Sequence, residues 1–174
     1  MAKVLVAAQG VEKVFRTGDI AVHALRGVEL EIGAGEFMAI VGPSGSGKTT
    51  LLNLIGALDV PTGGQIEVFG RDLGQLSRRE RAELRLESLG FVFQAYNLVP
   101  VLTARENVEF VLELQGIAGD ERRRRTEATL SELGLGELAN RRPNEMSGGQ
   151  QQRVAVARAV ASRPSLVLAD EPTA

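Results

Sequence analysis

An α/β fold, with strands gathered in the opening third and helices after it, follows from three features of the chain. Val28, Leu30 and Ile32 alternate with Glu29 and Glu31, the period of a strand with one wet and one buried face. Phe37-Met38-Ala39-Ile40-Val41 is continuously apolar, as in a parallel sheet covered by helices on both faces, and it runs straight into Gly42. From Ser77 the pattern turns helical, until the apolar strand Leu166-Val167-Leu168-Ala169 near the end.

Taken in order, the remaining elements rest on local chemistry. Ile66-Glu67-Val68-Phe69 alternates between Gly63-Gly64 and Gly70, a strand with a turn at each end. Ser77 and Glu80 have capping-box spacing and open a helix to about Ser88. Gly90-Phe91-Val92-Phe93-Gln94 reads as a short buried strand, and Thr103 with Glu106 caps a second helix carrying Val108, Val111, Leu112 and Leu114. A third helix follows Asp120 and runs through Leu133, closed by Gly134 and Gly136. It carries Arg122 to Arg125; exposed charge runs of this kind ordinarily form a solvated helix face, the alternative being an anion or lipid surface. A last helix spans Gly148 to about Ala161.

With 174 residues, 44% hydrophobic, 24% charged and net charge −2, one folded domain over 1–174 is expected. That balance argues against nucleic acid as a partner, which normally demands a marked Lys/Arg excess. No cysteine is present, so disulfides and thiolate metal sites are excluded and a cytoplasmic location is the default expectation. The apolar start Met1–Ala8 soon meets Glu12 and Lys13, and no run approaches the roughly 20 apolar residues of a membrane helix. Membrane association would therefore come through a partner protein.

Gly42-Pro43-Ser44-Gly45-Ser46-Gly47-Lys48-Thr49 fits the pattern G-x-x-x-x-G-K-[ST] between a strand and the helical run Thr50-Leu51-Leu52-Asn53-Leu54-Ile55. Glycines let successive N–H groups converge on phosphate oxygens, and the helix that Thr50 continues adds the positive end of its dipole. Lys48 is placed for the β- and γ-phosphates and the Thr49 hydroxyl for magnesium, which implies Mg-ATP as ligand. The strand Leu166–Ala169 ends in two carboxylates: Asp170 suits the metal and Glu171 suits activation of the attacking water.

Ser147-Gly148-Gly149-Gln150-Gln151, followed by Gln152-Arg153 and, downstream, by Ala169-Asp170-Glu171-Pro172-Thr173, resembles the signature motif and second nucleotide motif of ABC ATPases. Ser147 and Gln150 also have capping-box spacing, and the two readings are compatible because a capped, glycine-rich helix start is itself an anion site. The resemblance covers essentially the whole chain and implies a phosphate-loop ATPase core with a mostly parallel sheet, an N-terminal antiparallel part and an inserted helical subdomain from about 77 to 142. It implies a head-to-tail homodimer in which Ser147, Gly148, Gly149 and Gln150 close on ATP held by the other subunit. It places Phe15 where an aromatic stacks on adenine, a core aromatic being the alternative, and Gln94 where a glutamine contacts magnesium and the attacking water. Residues Gln94 to Pro100 would lie near the groove that receives a transmembrane permease, which would hold the chain peripherally on the inner face of the membrane. Gly90–Gln94, Leu102–Val108 and Leu168–Thr173 are most similar to the macrolide-exporter and lipoprotein-releasing group; Met146 replaces the usual leucine before the signature serine.

In the resembled domain the chain continues past Thr173 into a further loop and a strand ending in a switch histidine, so a C-terminally truncated domain is the expectation. His23 is read as structural or solvated. The rival readings are an ABC ATPase signalling mechanically to a membrane partner, as in cell division, a soluble ABC ATPase, and a non-catalytic fragment.

Overall fold

The strand β1 (Val4–Thr17) folds back through Gly18 onto β2 (Ile20–Gly33), and β3 (Gly63–Val68) joins its other edge before turning into the two-residue β4 (Arg71–Asp72). The order is β2-β1-β3-β4, antiparallel throughout. This computed structural model describes residues 3–171. Pro172 and Thr173 of the second nucleotide motif lie outside the described residues.

Two compact units divide the chain, Met1–Glu83 and Leu84–Ala174. In the first, helix α1 (Lys48–Ile55) packs on β2 and β3. Its buried Leu51, Leu54 and Ile55 belong to a core with Val6, Ile66 and Val68. The alternation read in β2 holds: Ile32 is buried while Glu29 and Glu31 are exposed. At the β3–β4 turn both Phe69 (φ 53°) and Gly70 (φ 74°) are left-handed, the conformation whose twist suits a two-residue hairpin.

One expectation fails here. Residues 36–43 form no strand, and Phe37 (101%) and Val41 (91%) are exposed. A continuously apolar strand is stable only when its backbone is paired and both faces are covered. Among the described residues no strand pairs with 37–41, so the apolar pattern has nothing to satisfy it. Parallel pairing among the described residues is confined to β5 (Leu89–Val92) with β6 (Leu166–Ala169), narrower than the mostly parallel sheet expected.

In the second unit three helices surround one apolar cluster: α3 (Ala104–Leu114), α4 (Gly119–Glu132) and α5 (Gly148–Ala161). Val108, Leu112, Leu130, Leu135 and Val154 are completely or almost completely buried in it. Helix α2 (Arg78–Ser88) starts where the Ser77 and Glu80 pair predicts, with reciprocal bonds of 2.8 and 3.2 Å. Half of the arginine run on α4 is paired on the surface: Arg124 and Arg125 both reach Glu121, at 2.8 and 2.7 Å.

Candidate functional site

The loop ahead of α1 is shaped by its glycines, Gly47 above all. A Cβ on Gly47 (φ 92°) would stand 2.5 Å from the Ala24 carbonyl oxygen and 2.9 Å from Leu25 Cδ2, whereas one on Gly42 would meet Ser46 Oγ at 2.7 Å, a hydroxyl that can rotate aside. Gly47 caps α1 and, having no side chain, sets no acceptor of its own over the helix start, where the dipole favours an anion. Lys48 Nζ donates to the carbonyls of Gly42 and Pro43, both at 2.9 Å, which curls the ammonium over its own loop. A cradle of this kind fits phosphate: a close-approach glycine, a helix N-terminus and a flexible cation.

Phe15 lies on the sheet that carries this loop. Its Cα partner on β2 is Val22, two residues or about 7 Å along the strand from Ala24, which Gly47 touches. The residue is 45% exposed, which does not suit a core aromatic. His23 is an exposed residue of β2 opposite Val14.

The second unit assembles the acidic residues by register. In the parallel pair β5–β6, Val92 lies opposite Ala169, and Asp170 N extends the ladder to the Val92 carbonyl at 3.0 Å. Gln94 and Glu171 each lie two residues beyond that last pair and meet: Gln94 Nε2 donates to Glu171 Oε2 at 2.7 Å. Glu171 has φ 46°, a left-handed conformation that costs a non-glycine residue of order 1 kcal/mol and is found disproportionately where function requires a side chain to be aimed. Ser147 caps α5 in a reciprocal box with Gln150 (3.3 and 2.8 Å), leaving Ser147, Gly148 and Gly149 exposed at the helix start. No cluster of three or more His, Cys, Asp or Glu side chains capable of holding a metal occurs among the described residues. A magnesium ion held by one or two protein oxygens plus phosphate needs no such cluster.

The family described as ABC transporter matches residues 25–174. This chain belongs to the ABC transporter family. It is 52% identical over 97% of its length to the macrolide export ATP-binding/permease protein MacB of Marinobacter nauticus, and spans 26% of that protein. To an uncharacterized ABC transporter ATP-binding protein of Thermotoga maritima it is 50% identical, over 92% of this chain and 69% of that one. Its fold is that of the ATP-binding cassette MJ0796, seen as a dimer in a post-hydrolysis state bound to ADP and Pi. The TM-score is 0.91 at 46% identity, covering 97% of this chain and 75% of that one.

Two residues of this ABC chain escape motif reading and matter to the site. Arg158, on α5, donates to the carbonyls of Tyr96 (2.9 Å) and Asn97 (2.5 Å), two consecutive left-handed residues just after Gln94. Burial holds its pKa below the usual arginine value. Lys13, on β1, is 7% exposed and bonded to Asp59 and the Val60 carbonyl. Sequence spacing does not find either one, because their partners are 46 to 62 residues away.

Proposed function

We propose that the chain binds and hydrolyses Mg-ATP as the nucleotide-binding part of an exporter-type ABC transporter. The observation that carries the reading is the phosphate loop, where Gly47 admits no Cβ at the start of α1 and Lys48 lies over the loop. In this reading Gly42 to Thr50 bind the triphosphate, and Phe15 stacks on adenine. Thr49, Asp170 and Gln94 offer the oxygen donors magnesium takes; the ion, when bound, neutralises charge on the phosphates. Glu171 accepts the proton of the attacking water, its carboxylate held at one oxygen by Gln94.

The partners and placement belong to the same reading. Ser147, Gly148, Gly149 and Gln150 engage ATP on the opposite subunit of a head-to-tail dimer; the dimeric form of the similar MJ0796 cassette supports dimerisation. Residues 94–100 meet a transmembrane permease at the inner face of the cell membrane. The combined ATP-binding/permease naming of the MacB relatives supports a permease, and no helix among the described residues is long and apolar enough to cross a membrane. Helices between about 77 and 142 form the inserted subdomain. The test is Glu171→Gln in the full-length protein: turnover falls at least about a hundredfold while the ATP-bound dimer persists longer on gel filtration. Unchanged steady-state hydrolysis would remove Glu171 from the role of base.

A further inference from the structure

We propose that Lys13 is a positioning residue for the nucleotide's base, holding its ammonium against one face of the Phe15 ring so that the other face is presented, electron-poor and fixed, to a purine. This rests on the reading of Phe15 as the adenine platform. Lys13 and Phe15 are two apart on β1 and so project to the same side of the strand. Lys13 Nζ lies 5.2 Å from the ring centroid, within cation–π range.

The cation cannot wander. Lysine is almost never buried this far unless paired, and here Nζ bonds Asp59 Oδ1 at 2.7 Å and the Val60 carbonyl at 2.8 Å. Those acceptors belong to the segment after α1, which is itself laced to β1: Val14 N donates to Thr62 Oγ1 at 3.0 Å, and Thr62 N to the Glu12 carbonyl at 2.8 Å. On its other side Lys13 pairs with Leu25, whose side chain bounds the space beside Gly47. One pinned lysine thus joins the platform strand, the exit of the phosphate-loop helix and the strand under the phosphate loop.

An aromatic face is the negative end of the ring quadrupole, and an ammonium on one side draws π density toward itself. The opposite face becomes a better partner for an electron-rich purine, and with one face taken the base has a single side to stack on. Lys13 acts through Phe15 and does not touch the base. A lysine serving only as a tie between β1 and the Asp59–Val60 segment would disturb the whole nucleotide equally.

Calorimetric titration of the full-length protein with Mg-ATP and with inorganic tripolyphosphate, which has no base, separates the two. Lys13→Met is expected to raise the Kd for ATP about three- to fivefold and leave that for tripolyphosphate unchanged, while Lys13→Arg, still a cation, retains wild-type values. In a Phe15→Leu background Lys13→Met changes the ATP Kd less than about twofold, because the face it conditions is gone. Equal loss for both probes, additive loss in the Phe15→Leu background, or no loss at all overturns the proposal. Should Lys13→Met melt below the assay temperature, Lys13→Gln keeps a donor for Asp59 and Val60 without the charge and is held to the same outcomes. Wild-type protein that binds neither probe refutes the nucleotide reading itself, and ATP binding untouched by Phe15→Leu refutes the platform.

Discussion

Asn107 is 1% exposed, yet both ends of its amide are hydrogen-bonded. Its amide nitrogen lies within 2.9 to 3.2 Å of the carbonyls of Val99, Leu102 and Thr103, and its oxygen accepts from Val99 N at 2.8 Å. With two hydrogens for three carbonyls, at least one bond is shared. The side chain replaces a stretch of secondary structure for the turn between the Gln94 loop and α3. Asn107→Ala is expected to cost about 2 to 3 kcal/mol in denaturant unfolding, since it strands buried backbone groups. Asn107→Asp should cost at least as much, because a carboxylate places acceptor against acceptor. In the sequence this residue is one polar letter in an amphipathic helix, and nothing local separates it from a solvent-facing asparagine.

Helix starts, by contrast, are legible almost to the residue. Ser77 with Glu80, Thr103 with Glu106 and Ser147 with Gln150 each close the reciprocal bonds that their spacing predicts, because a capping box involves only residues three apart and no tertiary partner. Their chemistry differs in one respect. The backbone N–H of Thr103, then its hydroxyl, holds the Glu106 carboxyl below the ordinary glutamate pKa. A depressed folded pKa means stability present above the unfolded value of about 4.3 and lost as pH falls through the lower folded value. The stability difference between wild type and Glu106→Gln should accordingly shrink as unfolding is followed from neutral pH to below about 4. Replacing Gln150 by Ala should show no such trend, its amide being neutral; Thr103→Ala should cost about 1 kcal/mol at neutral pH.

At the level of the whole molecule, a ligand that binds only the folded state stabilises it by mass action. Mg-ATP at a hundred times its Kd should add about 2.7 kcal/mol, read as a raised melting temperature by differential scanning calorimetry. Lys48→Ala should abolish most of that rise while leaving the unliganded melting temperature nearly unchanged, since among the described residues the Lys48 ammonium bonds carbonyls of its own loop, at Gly42 and Pro43. A rise that survives in Lys48→Ala would place the nucleotide elsewhere.

What was readable from the chain was whatever short-range chemistry decides: the phosphate loop, the helix caps, the alternating strands and the acidic end of β6, all set by spacings of two to seven residues. The meeting of Gln94 with Glu171 needed the parallel register of β5 and β6, 77 residues apart in sequence. The pinning of Lys13 needed the exit of α1 brought against β1, and the failure of 37–41 to form a strand shows the converse. Its apolar letters state a demand for cover and for pairing, and only the tertiary structure decides whether other segments meet it, because a strand's hydrogen bonds belong to its neighbours.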